Sequence, residues 1–471
     1  MSQSALSYRL SPFGQLWWGL AFAGFFVLAF FVTGSVLIPC IAVVAVCLAV
    51  YVVSDPVRSI FAFILINVAL TLRPHGAQQG DAPTAFDLAM GVCLVGIMVY
   101  WVVRLRILEN QTLSMSIGQL AIAIFMVWSV ILTAYMLVFG NNVMFPAIRE
   151  TLNLSPLIVL PFLYEKFIDP ESDKQQRIFV ILIVVGCVQV LWNVWRVKSS
   201  IGEAVYLWEV GRGNTDESFS AFLMLIGAAM LIHAKGWHRY SLAVALFALG
   251  WVGIAVCFSR TLYVASVAAI IILVALSGKG MYRKASSRIA LAFGFMSLPL
   301  VPIYFVSRTI RLLMKSYLIR FLSTSHYKTD ASLLNRFSEW RAIGHEIVQS
   351  PIIGWGFGSR FRYYQIIAHF HQISAYSHSS YLYIVYKVGV FAAISFFIAY
   401  FGFVYKGIIL LRNRNIDDKN RGMLLAGVSY LLLTIIDSYT TPMLNSKTDM
   451  VWVAVIWGYI LSLEAKKSVY V

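Results

Sequence analysis

Runs of about 20 apolar residues recur along almost the whole chain, and that single feature restricts it to very few folds. One of them, QLAIAIFMVWSVILTAYMLVF at 119–139, carries no charge at all. A helix of about 20 apolar residues crosses a ~30 Å hydrocarbon core, satisfying its own backbone hydrogen bonds on the way. Strands of a membrane barrel would alternate apolar and polar residues, whereas these runs are apolar on every side. The composition agrees: 60% of the 471 residues are hydrophobic and 12% charged, where soluble domains hold about 25% charged residues. The expectation is an all-α polytopic membrane protein. The first run is long and lacks a small-residue cleavage site after it, which predicts an anchor rather than a removed signal peptide. Cys40, Cys47, Cys93, Cys187 and Cys257 all fall inside apolar runs, without the spacing of a metal site, and read as small core residues.

Fourteen candidate spans can be drawn, from 14–33 to 447–464, so about 12–14 transmembrane helices are expected. With the N-terminus inside, the inner segments hold twenty Lys/Arg and the short outer loops seven, which predicts that both termini face the cytoplasm. The net charge of +16 is then explained by inner loops meeting a membrane surface, and nucleic acid is not an expected partner. Three regions follow: N-terminal transmembrane helices at 1–306, one large outer loop with short helices at 307–378, and C-terminal transmembrane helices at 379–471. The outer loop is unusual in holding nine Lys/Arg and five of the eight histidines, His326, His345, His369, His371 and His378. A cationic surface there suits membrane lipid headgroups or an anionic ligand such as a pyrophosphate.

Within the loop, SLLNRFSEWRAIGHEIVQSPIIGWGFGS (332–359) reads as a helix followed by a turn. Leu333, Phe337, Trp340, Gly344 and Ile347 give one apolar face, Ser332 offers a cap, and Pro351 ends the helix. The glycines Gly354, Gly356 and Gly358 follow a helix rather than a strand, so they predict a tight turn laid on the membrane surface, not a dinucleotide site. Only His369 and His371 lie close together, with no carboxylate nearby, so no metal is expected.

The pattern R-x-x-x-W at 336–340, S-P-I-I-G-W-G-F-G at 350–358, S-H-S-S-Y-L at 377–382 and G-V at 389–390 resembles the bacterial O-antigen ligase and O-antigen polymerase superfamily. CFSRTLYVAS (257–266) resembles that family's S-R pair opening a helix, and GRGNTDESFSAF (211–222) its arginine ahead of another. The chain departs from the pattern at Ser379, where asparagine is frequent, and at Lys387, where many members are acidic. The resemblance implies en bloc transfer of a glycan from an undecaprenyl-pyrophosphate carrier to an acceptor hydroxyl at the periplasmic face of the bacterial inner membrane. The implied acceptor is another glycan or a lipid A core, and the chemistry is inverting, without metal or cofactor. A complex with a chain-length regulator or export proteins is a further implied partnership.

That chemistry needs a base for the hydroxyl and cations for the leaving pyrophosphate. His378, at the outer mouth of a helix, is the expected base, since histidine exchanges protons near neutral pH; its plainer reading is an interfacial histidine bonded to loop backbone. Arg260, Arg212, Arg336 and Arg149 are the expected pyrophosphate ligands, because a guanidinium grips two phosphate oxygens at once. Arg260 snorkelling to the interface, and Arg336 pairing with Glu339, are the corresponding structural readings. Asp87 and Asp437, near outer ends of spans, read as carboxyls that hold arginines in place. Within the family, two carrier-linked substrates would demand many outer cations, which favours a polymerase over a ligase. The rival from another class is a lipid-linked oligosaccharide flippase, whose charges would sit near the midplane of repeated halves.

Overall fold

The computed structural model describes residues 51–71 apart from 53–54, parts of 96–103, 116–200 apart from 171, and 218–307 apart from 279. It further describes short pieces of 311–319, residues 330–413 apart from 367–368 and 414–415 beyond them, and 416–469. The expected span 14–33, nearly all of 34–53 and most of 85–103 lie outside the described residues, as do Cys40, Cys47, Cys93, Asp87, Arg212 and His326.

The chain divides into two compact units, Met1–Ala62 and Phe63–Val471. In the first, Asp55 accepts from the Val57 N–H at 2.8 Å and caps the start of helix α1 (Pro56–Thr71). The second, in its described residues, is helical but for one hairpin. Its helices are α2 (Ile117–Phe139), α3 (Met144–Leu154), α4 (Pro156–Phe167), α5 (Asp173–Ser200), α6 (Ser218–His233), α7 (Trp237–Cys257), α8 (Arg260–Leu276) and α9 (Tyr282–Val306). A loop helix α10 (Ala331–Gln349) and an antiparallel pair, β1 (Phe361–Gln365) with β2 (Phe370–Ser374), precede α11 (Ser380–Arg412), α12 (Asp418–Asp437) and α13 (Lys447–Val469).

Five described helices are long and apolar enough to cross a membrane, within α2, α5, α7, α11 and α13. Their burial separates centre from rim: 89% of the apolar stretch of α13 is buried against 33% in α2. On α2, Leu120, Ile124, Val127, Ile131 and Val138 form an exposed apolar stripe, which water would not tolerate and lipid tails accept. Around α13, Trp457 stacks on Phe403 of α11 at 4.5 Å and Trp452 on Phe222 of α6 at 4.0 Å. Helices α6 and α7 touch backbone to backbone at Gly227 and Gly250, where a Cβ would stand 2.4 Å from a backbone nitrogen of the other helix. Such small-residue contacts draw membrane helices together without a hydrophobic driving force. The protein is thus an all-α polytopic membrane protein.

Helix α11 is broken at Gly389, whose φ of 75° and ψ of 170° only glycine adopts comfortably. A break deep in a helix frees backbone groups that need new partners. The glycine turn supplies most of them: Trp355 N–H donates to the Tyr386 carbonyl at 3.0 Å, and Gly356 N–H to Lys387 at 2.7 Å. Val390 N–H donates to Pro351 at 2.8 Å, and Trp128 Nε1 takes the Val388 carbonyl at 3.1 Å. Gly354, Gly356 and Gly358 all have positive φ, as a tight turn requires. The turn is packed into the broken helix rather than laid over it: a Cβ on Gly389 would stand 2.0 Å from the Ile352 carbonyl oxygen.

Candidate active site

Loop helix α10 organises the site. Asp330, not Ser332, is its N-cap, accepting from the N–H groups of Ser332 and Leu333 at 3.0 and 3.2 Å. Its buried stripe runs through Glu339 and Ile343, while Phe337 is about half exposed. The face therefore lies a residue or two from the one the apolar spacing suggests. Ile343 packs with Phe361, Tyr363 and Tyr386, fixing the helix to the hairpin and to α11.

Glu339 points to His378 rather than back to Arg336. One carboxyl oxygen accepts from Ser377 Oγ and from the His378 backbone N–H, both at 2.7 Å; the other meets His378 Nδ1 at 2.5 Å. The carboxyl is buried, whereas the His378 side chain is 38% exposed. With Nδ1–H donating to Glu339, the lone pair of Nε2 is left as the imidazole's proton acceptor. Tyr376 stands beside His378, 6.1 Å between ring centroids with the ring planes tilted by 55°. Burial raises the Tyr376 hydroxyl above its ordinary pKa, the Glu339 charge adds to this, and Arg149 pulls against both. Burial, then Glu339 and Tyr376, push Tyr363 to about 12. Arg149, exposed on α3, therefore stands within electrostatic reach of the His378 neighbourhood.

Arg260 is the first residue of α8, after Phe258 turns the chain with a left-handed φ of 51°. Its Nη1 meets Asp330 Oδ2 at 2.6 Å. Burial raises Asp330, but the Arg260 hydrogen bond and charge, with the two capping N–H groups, outweigh it and hold the carboxyl below its usual range. Arg336, one turn before Glu339, acts electrostatically on Asp437 at the end of α12. So α10 touches three separate places: α8 through Asp330, the segment just after α12 through Trp340, whose ring centroid lies 5.3 Å from that of Tyr439, and the start of α11 through Glu339. The nine residue steps from Asp330 to Glu339 correspond to about 14 Å of helix.

The ends of those elements are knitted together. Thr261 and Thr440 share a 2.5 Å hydrogen bond. Ser380 donates its N–H to Ser438 at 2.9 Å and its hydroxyl to Thr441 at 2.9 Å. Helices α8 and α11 both begin here, and helix N-termini favour negative charge. His378 thus stands just before α11, Arg260 at the start of α8 and Arg336 on α10, Arg149 acts electrostatically on Tyr376 beside His378, and Arg212 lies outside the described residues. His345, His369 and His371 contact only Gln349 or Tyr364 in the described geometry and stand apart from His378.

Sequence reasoning missed three acidic partners: Glu339 for His378, Asp330 for Arg260, and Glu150 for Lys387. Glu339 had one usable signal, a carboxyl four residues before Ile343 on the same helix face. The other two pairings join distant segments and left no local trace.

Fold and site together define a polytopic helical membrane protein with a histidine–carboxyl pair where its loop helix meets the start of α11. A family model described as O-antigen ligase matches residues 242–397. Over that segment, which runs from α7 past the break in α11, the chain is similar to the O-antigen ligase and polymerase superfamily. No curated protein sequence matches it significantly.

Proposed function

We propose that the protein is a membrane glycosyltransferase that polymerises a surface or secreted polysaccharide from undecaprenyl-pyrophosphate-linked units at the periplasmic face of the inner membrane. The Glu339–His378 pair is the observation that carries this reading. His378 Nε2 takes the proton of the acceptor hydroxyl while the new oxygen–anomeric carbon bond forms. The bond from that carbon to the pyrophosphate oxygen breaks on the opposite side, which inverts the anomeric centre, and undecaprenyl pyrophosphate leaves. Glu339 orients the imidazole and stabilises its protonated form. Arg149, Arg336 and Arg260, with Arg212, are assigned to the pyrophosphate, where developing charge makes cationic donors most effective. No metal or cofactor takes part in this scheme.

The cationic loop favours a polymerase, which must hold two carrier pyrophosphates. The description of the matching family as O-antigen ligase favours a second reading, attachment of finished glycan to lipid A core. Deleting the gene distinguishes them. Loss of the polymerase leaves single repeat units on the carrier or on lipid A core; loss of a ligase leaves long polymer on its carrier. Under either reading His378→Ala abolishes transfer while the protein still inserts, and near-normal product from that variant removes His378 from the mechanism.

A further inference from the structure

Lys387 is buried in α11 beside the break, and its Nζ meets Glu150 Oε1 of α3 at 3.1 Å. The side chains are 0% and 7% exposed. Each partner also holds one end of the glycine turn: Glu150 Oε2 accepts the Gly358 N–H at 2.8 Å, and Lys387 Nζ donates to the Ser359 carbonyl at 2.7 Å. The pair therefore has a fixed polarity, since the turn offers a donor to the acid and an acceptor to the base. Asn142, just before α3, adds bonds from its side chain to the Trp355 and Phe357 carbonyls.

A buried ion pair is rarely retained for stability, because desolvation offsets most of its attraction; what it fixes well is geometry. The geometry fixed here is the rotation of α3 about its axis. Glu150 turned inward onto Lys387 leaves its neighbour Arg149 turned outward, exposed and within electrostatic reach of Tyr376 beside His378.

We propose that Lys387 and Glu150 are positioning residues for the glycan donor: their ion pair, locked through the 354–359 turn, holds Arg149 at the His378 site. The role in donor binding rests on the glycosyltransferase reading above; the placement of Arg149 does not.

The test uses the full-length protein in native membranes, in a background with all five cysteines replaced. Arg149→Cys and Tyr376→Cys are joined by a short bifunctional thiol reagent, with and without Lys387→Met. The proposal expects efficient cross-linking when Lys387 is intact and a several-fold loss in the Lys387→Met background. An unchanged yield overturns it, and so does absence of cross-linking with Lys387 intact. Should Lys387→Met fail to reach the membrane, Glu150→Gln, which keeps an oxygen for Gly358 N–H, is read by the same criterion. With native cysteines, Lys387→Met is expected to raise the donor KM about tenfold, the effect of one misplaced charged hydrogen bond. In an Arg149→Ala background the same change should add nothing to KM; an equal further rise there means a general structural role and overturns the proposal. Cross-linking needs no glycan, so it stands or falls independently of the activity.

Discussion

Replacing Glu339 by glutamine exchanges one oxygen for an NH2 group and removes the charge, leaving volume and packing unchanged. In the wild-type protein three donors converge on this buried carboxyl, from Ser377 Oγ, the His378 backbone and His378 Nδ1. Glutamine has only one accepting oxygen. If that oxygen stays with Ser377 and the backbone, its NH2 faces Nδ1 and forces the imidazole into the tautomer with hydrogen on Nε2, which can no longer accept a proton. If it turns to Nδ1, two buried donors lose their partner. A hydrogen bond to a charged group contributes about 1.5–3 kcal/mol, and about 1.4 kcal/mol is tenfold in rate. The charge alone thus accounts for roughly 10- to 150-fold in kcat, and the wrong tautomer adds to it. The comparable Asp→Asn change in a serine protease triad lowers kcat about 10⁴-fold. The assay is transfer in proteoliposomes with a lipid-linked glycan at saturating concentration, with expression and thermal stability checked alongside. A kcat within a factor of about three of wild type would refute the role of Glu339 as the orienting partner of His378.

Arg260→Lys keeps the charge but loses the planar fork, so transfer should fall at least about tenfold; wild-type activity in the lysine variant would mean that Arg260 only anchors the interface. Gly389→Ala places a Cβ against the Ile352 carbonyl and forces a glycine-only backbone region. It should cost about 3 kcal/mol or more, read as a lowered melting temperature in detergent; an unchanged melt would show that the turn is not locked into the break. Asp330 titrates below its ordinary value, so its capping and ion-pair contribution is complete above the normal carboxylate range and is lost as pH falls through the depressed value. Amide exchange in α10 should therefore accelerate, beyond the intrinsic pH effect, only under strongly acidic conditions, and Asp330→Ala should show the faster exchange already at neutral pH.

The helices were legible because lipid makes an unusually simple demand on sequence. The apolar stretch at 119–139 is observed as α2, and 241–258 as α7. Arg260 opening a helix was readable from the polar Ser259 beside it. His378 was legible as well, standing at the boundary between polar loop and apolar helix. What the sequence hid was pairing. Asp330 and Glu339 lie on one helix but address α8 and α11, and nothing local announces which arginine or histidine a carboxyl will meet. Lys387 stood out as a departure from the family pattern, yet its partner Glu150 sits in a different part of the chain. The glycine turn was readable as a turn and not as a plug, because the break it fills is created by Gly389, a residue that alone looks like ordinary helix tolerance.

The break in α11 also bears on how the protein is made. Unbroken, 33 residues would form a helix of about 50 Å, far longer than the ~30 Å hydrocarbon layer. After Gly389, the 23 residues of 390–412 measure about 35 Å, a length that a modest tilt accommodates. During biosynthesis α2 is made long before the 351–358 turn and α11 after it, so the turn has nothing to dock into until α11 is in place. The membrane boundary of α11 is thus set late, by a segment already translated and waiting. A mutation in that turn should show first as a mis-seated helix degraded by membrane quality control, before any effect on chemistry can be measured.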